Sequence, residues 1–90
     1  MTKAEREHLS KVASIGCIIC RMPAEIHHIR SGMGLGQRNS NFNAIPLCAN
    51  HHRNGGYGIA FHAGRKAFEQ KFGTELELLE KVKGLINVSE

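Results

Sequence analysis

Three cysteines and five of the six histidines in this ninety-residue chain are spaced as metal ligands would be. Cys17 and Cys20 form a C-x2-C pair, and Cys48 with His51 repeats that spacing downstream. Each pair can grip one tetrahedral ion from a single turn, and two pairs supply four ligands. With four protein ligands no position remains for water, so this site is expected to hold a structural Zn2+. A set of buried thiols is the plainer alternative. His52 is then left over beside His51, and a second metal centre shared with the doublet His27-His28 is the natural candidate. On an extended segment His27 and His28 face opposite ways, so one can bind metal while the other faces substrate. Either task needs neutral imidazole, the main form at pH 7 for an unperturbed group. Taken alone, such a doublet reads as a solvated strand end; beside a second doublet and an isolated His62 that reading loses ground.

Ninety residues make one domain, 1–90, near the size where a hydrophobic core alone is marginal. Bound zinc would add folding free energy directly. No stretch is apolar enough to span a bilayer, and the N-terminus Met1 to His8 lacks the apolar core of a signal peptide. A cytoplasmic location is the resulting expectation. An odd number of cysteines, two of them in a C-x2-C pair, points to metal ligation in a reducing compartment. The charge is uneven: residues 1–53 carry seven Lys/Arg against three Glu, whereas residues 54–90 carry five of each sign. Positive potential therefore coincides with the Cys/His cluster and favours a polyanion such as nucleic acid. There is no Asp, which argues against a two-metal site built from clustered carboxylates. Metal chemistry is left to His and Cys.

The elements that must carry these residues can be outlined. Thr2 and Glu5 fit a capping box that opens a helix to about Ser14, with Ala4, Leu9, Val12 and Ala13 as its apolar stripe. Gly16 stops that helix and delivers Cys17 in a turn. Ala24 to Ile29 reads as a short strand and Ala44 to Leu47 as a second, forming a hairpin with a long loop between. The loop glycines Gly32, Gly34 and Gly36 are spaced G-x-G-x-G, and no ribose-binding acid follows, so a dinucleotide site is rejected. Arg53 to Gly58 is too glycine-rich for stable helix. Gly64 to Phe72 reads as helix stopped by Gly73. Thr74 and Glu77 cap a last amphipathic helix with Leu76, Leu79, Val82 and Ile86 on its apolar face, weakened near Gly84.

The series Cys17-x2-Cys20, His27-His28-Ile29 and Asn43-Ala44-Ile45-Pro46-Leu47-Cys48-x2-His51-His52 resembles the HNH endonucleases. More narrowly, residues 9 to about 75 resemble the Ref-type phage nucleases, whose DNA cutting depends on RecA filaments. The likeness is carried by Val12 to Cys17, Pro23 to His28, Pro46-Leu47-Cys48, His51-His52-Arg53 and Gly55 to His62. It implies an α+β fold: a small zinc-stabilised ββα-metal domain, core motif about residues 17–72, with flanking N- and C-terminal helices. It further implies hydrolysis of DNA phosphodiester bonds, a role in recombination, and a RecA filament as a further partner beside DNA.

By that resemblance His27 is similar to the metal ligand of the first strand and His28 to the general base. His52 joins His27 at the catalytic metal, for which Mg2+ or Mn2+ is expected, with Zn2+ as an alternative. Asn43 matches the central Asn of the motif, which orients the base or braces the loop; a turn residue before a strand is its plainer meaning. Many such motifs place the last ligand four residues after the position of His52; here that residue is Gly56, and His62 is taken as the third ligand. Arg30, Arg38, Arg53 and Arg65 flank the motif and are candidate phosphate contacts. His8 lies outside it and is read as solvated. Nothing resembles a sequence-reading helix, so low sequence specificity is expected. The competing functions are a non-catalytic zinc-ribbon-like DNA- or protein-binding module and an accessory subunit that binds a recombinase without cutting.

Overall fold

In the computed structural model, which describes residues 1–34, 36–37 and 39–89, Thr2 opens the first helix through a reciprocal capping box. Its hydroxyl accepts from the Glu5 amide while the Glu5 carboxylate accepts from the Thr2 amide. Helix α1 runs Lys3–Ile15 and buries Val12 and half-buries Leu9 and Ile15, whereas Ala4 and Ala13 of the expected stripe face solvent. The chain then reverses at Gly16, which has φ 81; a Cβ there would lie 2.7 Å from the Arg21 carbonyl oxygen, so this turn requires glycine. The Cys17 amide donates to the Met22 carbonyl and closes the turn that carries both Cys17 and Cys20.

Strand β1 (Glu25–His28) pairs antiparallel with β2 (Ala44–Leu47), with His27 opposite Ile45 and His28 opposite Ala44. The Ile29 amide donates to the Asn43 carbonyl and extends the hairpin beyond its last pair. All four residues of β2 are buried, because α1 and the C-terminal helix pack against this strand.

A five-residue π-helical turn, Asn50–Asn54, follows β2, so Arg53 and Asn54 are helical where glycine content argued otherwise. Gly55 ends it: its amide donates to the Asn50 carbonyl, and a Cβ there would lie 2.5 Å from that same oxygen. A 3-10 turn at Phe61–Ala63 leads into α2 (Arg65–Phe72) and then α3 (Glu75–Ser89). The Thr74–Glu77 capping box forms as expected, and α3 continues through Gly84. Its buried face corrects the expected stripe: Leu78, Leu79, Val82 and Ile86 are buried together with Glu75, while Leu76 points outward. The spacing 75, 78, 79, 82 is helical, but its first member is a carboxylate and apolar counting passes over it. Leu78, Leu79, Val82 and Ile86 join Val12, Ile45, Leu47, Phe61 and Phe68 in one core. No helix among the described residues is long and apolar enough to cross a membrane.

Candidate metal centres

The turn after Gly16 and the first residues after β2 bring Cys17, Cys20, Cys48 and His51 together, all ligand atoms lying within 4.8 Å of one another. Cys20 Sγ lies 3.7 Å from Cys48 Sγ, and His51 Nδ1 lies 3.7 Å from Cys17 Sγ and 3.2 Å from Cys48 Sγ. A zinc tetrahedron with Zn–S bonds of about 2.3 Å has sulfur–sulfur edges of about 3.8 Å, so the donors are set at coordination distance. Burial opposes ionisation of Cys17, but the amides of Cys48, Cys20 and Ile19 outweigh it and lower the thiol pKa, favouring the thiolate a metal needs. Burial, and then the charge of Lys71, lower the pKa of His51 and keep its imidazole neutral. Its ring stands edge-on to Phe72 at 5.2 Å, which fixes its orientation.

His51 and His52 are adjacent, yet roughly 90–100° of rotation per helical residue turns them toward different clusters. The His52 amide donates to the Cys48 carbonyl, so the same turn anchors both. His52 Nε2 lies 3.2 Å from His27 Nδ1 and 3.0 Å from His62 Nε2. The second cluster, His27, His52 and His62, is thus drawn from β1, the π-helical turn and the 3-10 turn.

Two carboxylates set the tautomers of this cluster. His27 Nε2 lies 2.7 Å from Glu75 Oε2, and His52 Nδ1 lies 2.9 Å from Glu25 Oε1. A carboxylate only accepts, so those two nitrogens carry the protons and donate. Glu25 is firmly ionised: Arg53, and then His52, hold its pKa at about 2. Burial raises the pKa of Glu75, but donation from His27 and the Arg30 amide prevails and lowers it. His27 Nδ1 and His52 Nε2 are therefore left as lone pairs aimed at each other. Two facing lone pairs repel unless a cation lies between them, and this donor set fits a divalent ion. Burial lowers the pKa of His62, leaving a third lone pair available.

Glu75 is the residue that sequence reasoning missed most completely. It is fully buried and also accepts from the Arg30 amide at 2.8 Å, the Ser31 amide at 3.0 Å and the Ser31 hydroxyl at 3.1 Å; Arg65 Nη2 stands 3.3 Å away. A charge this deep survives only with its acceptor positions filled. Glu25 carried a signal, since on a strand it shares a face with His27.

His28 faces the other way and meets a different partner. Its Nε2 lies 2.7 Å from Asn41 Oδ1, and Asn41 Nδ2 donates to Glu5 Oε2 at 2.6 Å. Asn43, expected beside the base or bracing the loop, donates through its side chain to Asn39 Oδ1 at 3.0 Å and so braces the loop. Of the candidate phosphate contacts, Arg30, Arg53 and Arg65 are engaged within the chain. Arg30 donates to the carbonyls of Gln37 and Gly34, and Arg53 makes two bonds to Glu25. Arg65 reaches Glu69, Glu75 and Ser31 and lies over the Phe61 ring. Arg38 lies outside the described residues. His8 is not simply solvated: its ring packs against Phe42 at 5.0 Å, and burial lowers its pKa.

Over residues 1–87 the chain matches the model of a family described as recombination enhancement, RecA-dependent nuclease. The chain belongs to this family. The family's name indicates nuclease activity in recombination. A curated relative from Escherichia coli (strain K12), the uncharacterized protein YdfU, is 35% identical over 66 residues, a match covering 70% of this chain and 17% of YdfU. The chain thus corresponds to a small part of that longer relative.

Proposed function

We propose that this domain is a metal-dependent DNA endonuclease of the HNH, ββα-metal type, acting in recombination with RecA filaments. The observation that carries this is the convergence of His27 Nδ1, His52 Nε2 and His62 Nε2, two of them backed by carboxylates, in a chain of a nuclease family. The hairpin followed by a short helical turn bearing His52 supports the ββα assignment. His27, His52 and His62 would hold the catalytic ion, and three imidazoles favour a transition ion such as Zn2+ or Mn2+ over Mg2+. When bound, such an ion supplies charge neutralisation at the phosphate and the leaving oxygen.

The chain's own groups do the rest. His28 takes a proton from the attacking water; the water oxygen bonds to phosphorus and the bond to the 3′ oxygen breaks. Asn43 holds the hairpin loop in register through Asn39 and through the bond from Ile29 to its carbonyl. Glu75 and Glu25 orient the ligand imidazoles. Cys17, Cys20, Cys48 and His51 would bind the structural Zn2+. Arg30, Arg53 and Arg65 are partly exposed despite their internal partners, and with Arg38 they would contact phosphates on either side of the cut.

The test is cleavage of single- and double-stranded DNA with Mg2+, Mn2+ or Zn2+, with and without a RecA filament. Wild-type protein is expected to cut. His28→Ala is expected to lose about 10²–10⁴-fold in rate while staying folded. A folded His28→Ala that cuts like wild type removes His28 as the base. No cutting by wild type under any of these conditions overturns the nuclease assignment in favour of a zinc-dependent binding module.

A further inference from the structure

The hydrogen-bonded series running from helix α1 to His28 assigns a task to two residues that no metal centre uses. Glu5 sits in the first turn of α1, its Oε1 accepting from the Thr2 amide at 3.0 Å. Its other oxygen, Oε2, accepts from Asn41 Nδ2 at 2.6 Å. Asn41 lies in the long loop between the strands and is itself buried, at 8% exposure. Its Oδ1 lies 2.7 Å from His28 Nε2.

Each link restricts the next. An ionised carboxylate has no proton to donate, so the amide nitrogen of Asn41, never its oxygen, must face Glu5. With that end fixed, the carbonyl oxygen of Asn41 must face His28. A carbonyl oxygen only accepts, so His28 Nε2 must bear a proton, and in the neutral imidazole the lone pair is left on Nδ1. We propose that Glu5 and Asn41 are positioning residues that lock neutral His28 as the Nε2–H tautomer and so make Nδ1 the proton-accepting atom. The tautomer follows from the bonds alone; proton acceptance from water rests on the nuclease function proposed above.

A free neutral imidazole exchanges between two tautomers and rotates about its side-chain bonds. Here both freedoms are removed by one buried amide whose orientation is set more than thirty residues away in sequence. Helix α1 would thus be part of the catalytic apparatus although it supplies no group to the reacting phosphate. Glu5 is suited to this because its carboxyl is held at a pKa of about 2 by the Thr2 amide and then by Asn41, so it is ionised wherever the protein works.

The test combines spectroscopy and kinetics on the zinc-loaded protein. Nitrogen-15 shifts of the His28 ring, assigned by comparison with His28→Ala, report the tautomer directly. Wild type and Glu5→Gln, whose amide oxygen can still accept from Asn41, are expected to show protonated Nε2. Asn41→Ala and Glu5→Ala are expected to show a mixture of tautomers. In the same two variants kcat should fall about 10–100-fold with KM nearly unchanged. Thr2→Ala is the control for a weakened helix cap: it should lower the stability of α1 while leaving the tautomer and kcat as in wild type. A wild-type ring protonated on Nδ1, or an Asn41→Ala protein whose ring is unchanged, overturns the proposal. Should the ring respond as expected in a protein that cuts no DNA, the positioning role stands and the nuclease function fails.

Discussion

Glu75 shows how much one side chain can carry. It fixes the tautomer of His27, gathers the amides of Arg30 and Ser31 at the exit of β1, and receives Arg65 from α2. Its replacement therefore separates charge from shape. Glu75→Gln keeps an acceptor but loses the charge that makes His27 a better donor to metal, and affinity at the His27, His52, His62 centre should fall about 10–100-fold in a competitive metal titration. Glu75→Ala also strands several buried donors and should cost about 3 kcal/mol in urea denaturation. The candidate ligands themselves are local spacings of Cys and His, and such spacings are legible in a sequence. Glu75 and Asn41 are not, because their value comes from contacts to residues tens of positions away. Glu25 is intermediate, since strand alternation alone puts it beside His27.

At the level of elements, capping boxes and turn glycines were legible because their geometry is local: Thr2 with Glu5, Thr74 with Glu77, and Gly16 all act where their residue types imply. The two helix faces were harder. Ala13 is exposed and Leu78 buried, because which apolar positions are covered depends on how α1 and α3 approach β2. The π-helical turn was invisible for a related reason, since its histidines meet distant residues, His51 reaching Cys17 and His52 reaching His27 and His62. Helix α1 also carries a pH dependence of definite sign. Glu5 has a folded pKa of about 2, below the unfolded value of about 4.3, so its contribution is fully present above the latter and is lost as pH falls toward the former. The stability difference between wild type and Glu5→Ala should be equal at pH 7 and pH 5.5 in urea titrations. It should begin to shrink only below about pH 4.5. A difference that changed between the two higher values would contradict this assignment.

For the whole molecule the question is what holds so few residues together. The described core is one cluster around Phe68, Ile45, Leu47 and Val82, and the Cys17, Cys20, Cys48 and His51 group closes its edge through buried Cys17 and Cys48. Removing zinc from that group is expected to unfold the domain, seen as loss of helical circular dichroism on chelation and its return on adding Zn2+. Cys48→Ser should do the same at its resting metal content. His52→Ala should keep the fold and its structural zinc while losing metal at the second centre and, with it, activity. If His52→Ala proves as unfolded as Cys48→Ser, the two clusters do not divide into structural and catalytic roles.

The turn from Cys48 to His52 contributes to both clusters, with no spacer between the His51 and His52 ligands. Chain length is therefore rigid at this point in a way that residue identity does not express. One added residue between His51 and His52 would rotate a ligand out of one centre or the other, and no single compensating substitution could restore both. Length changes among relatives, and any peptide grafted for engineering, should therefore be absent from this turn.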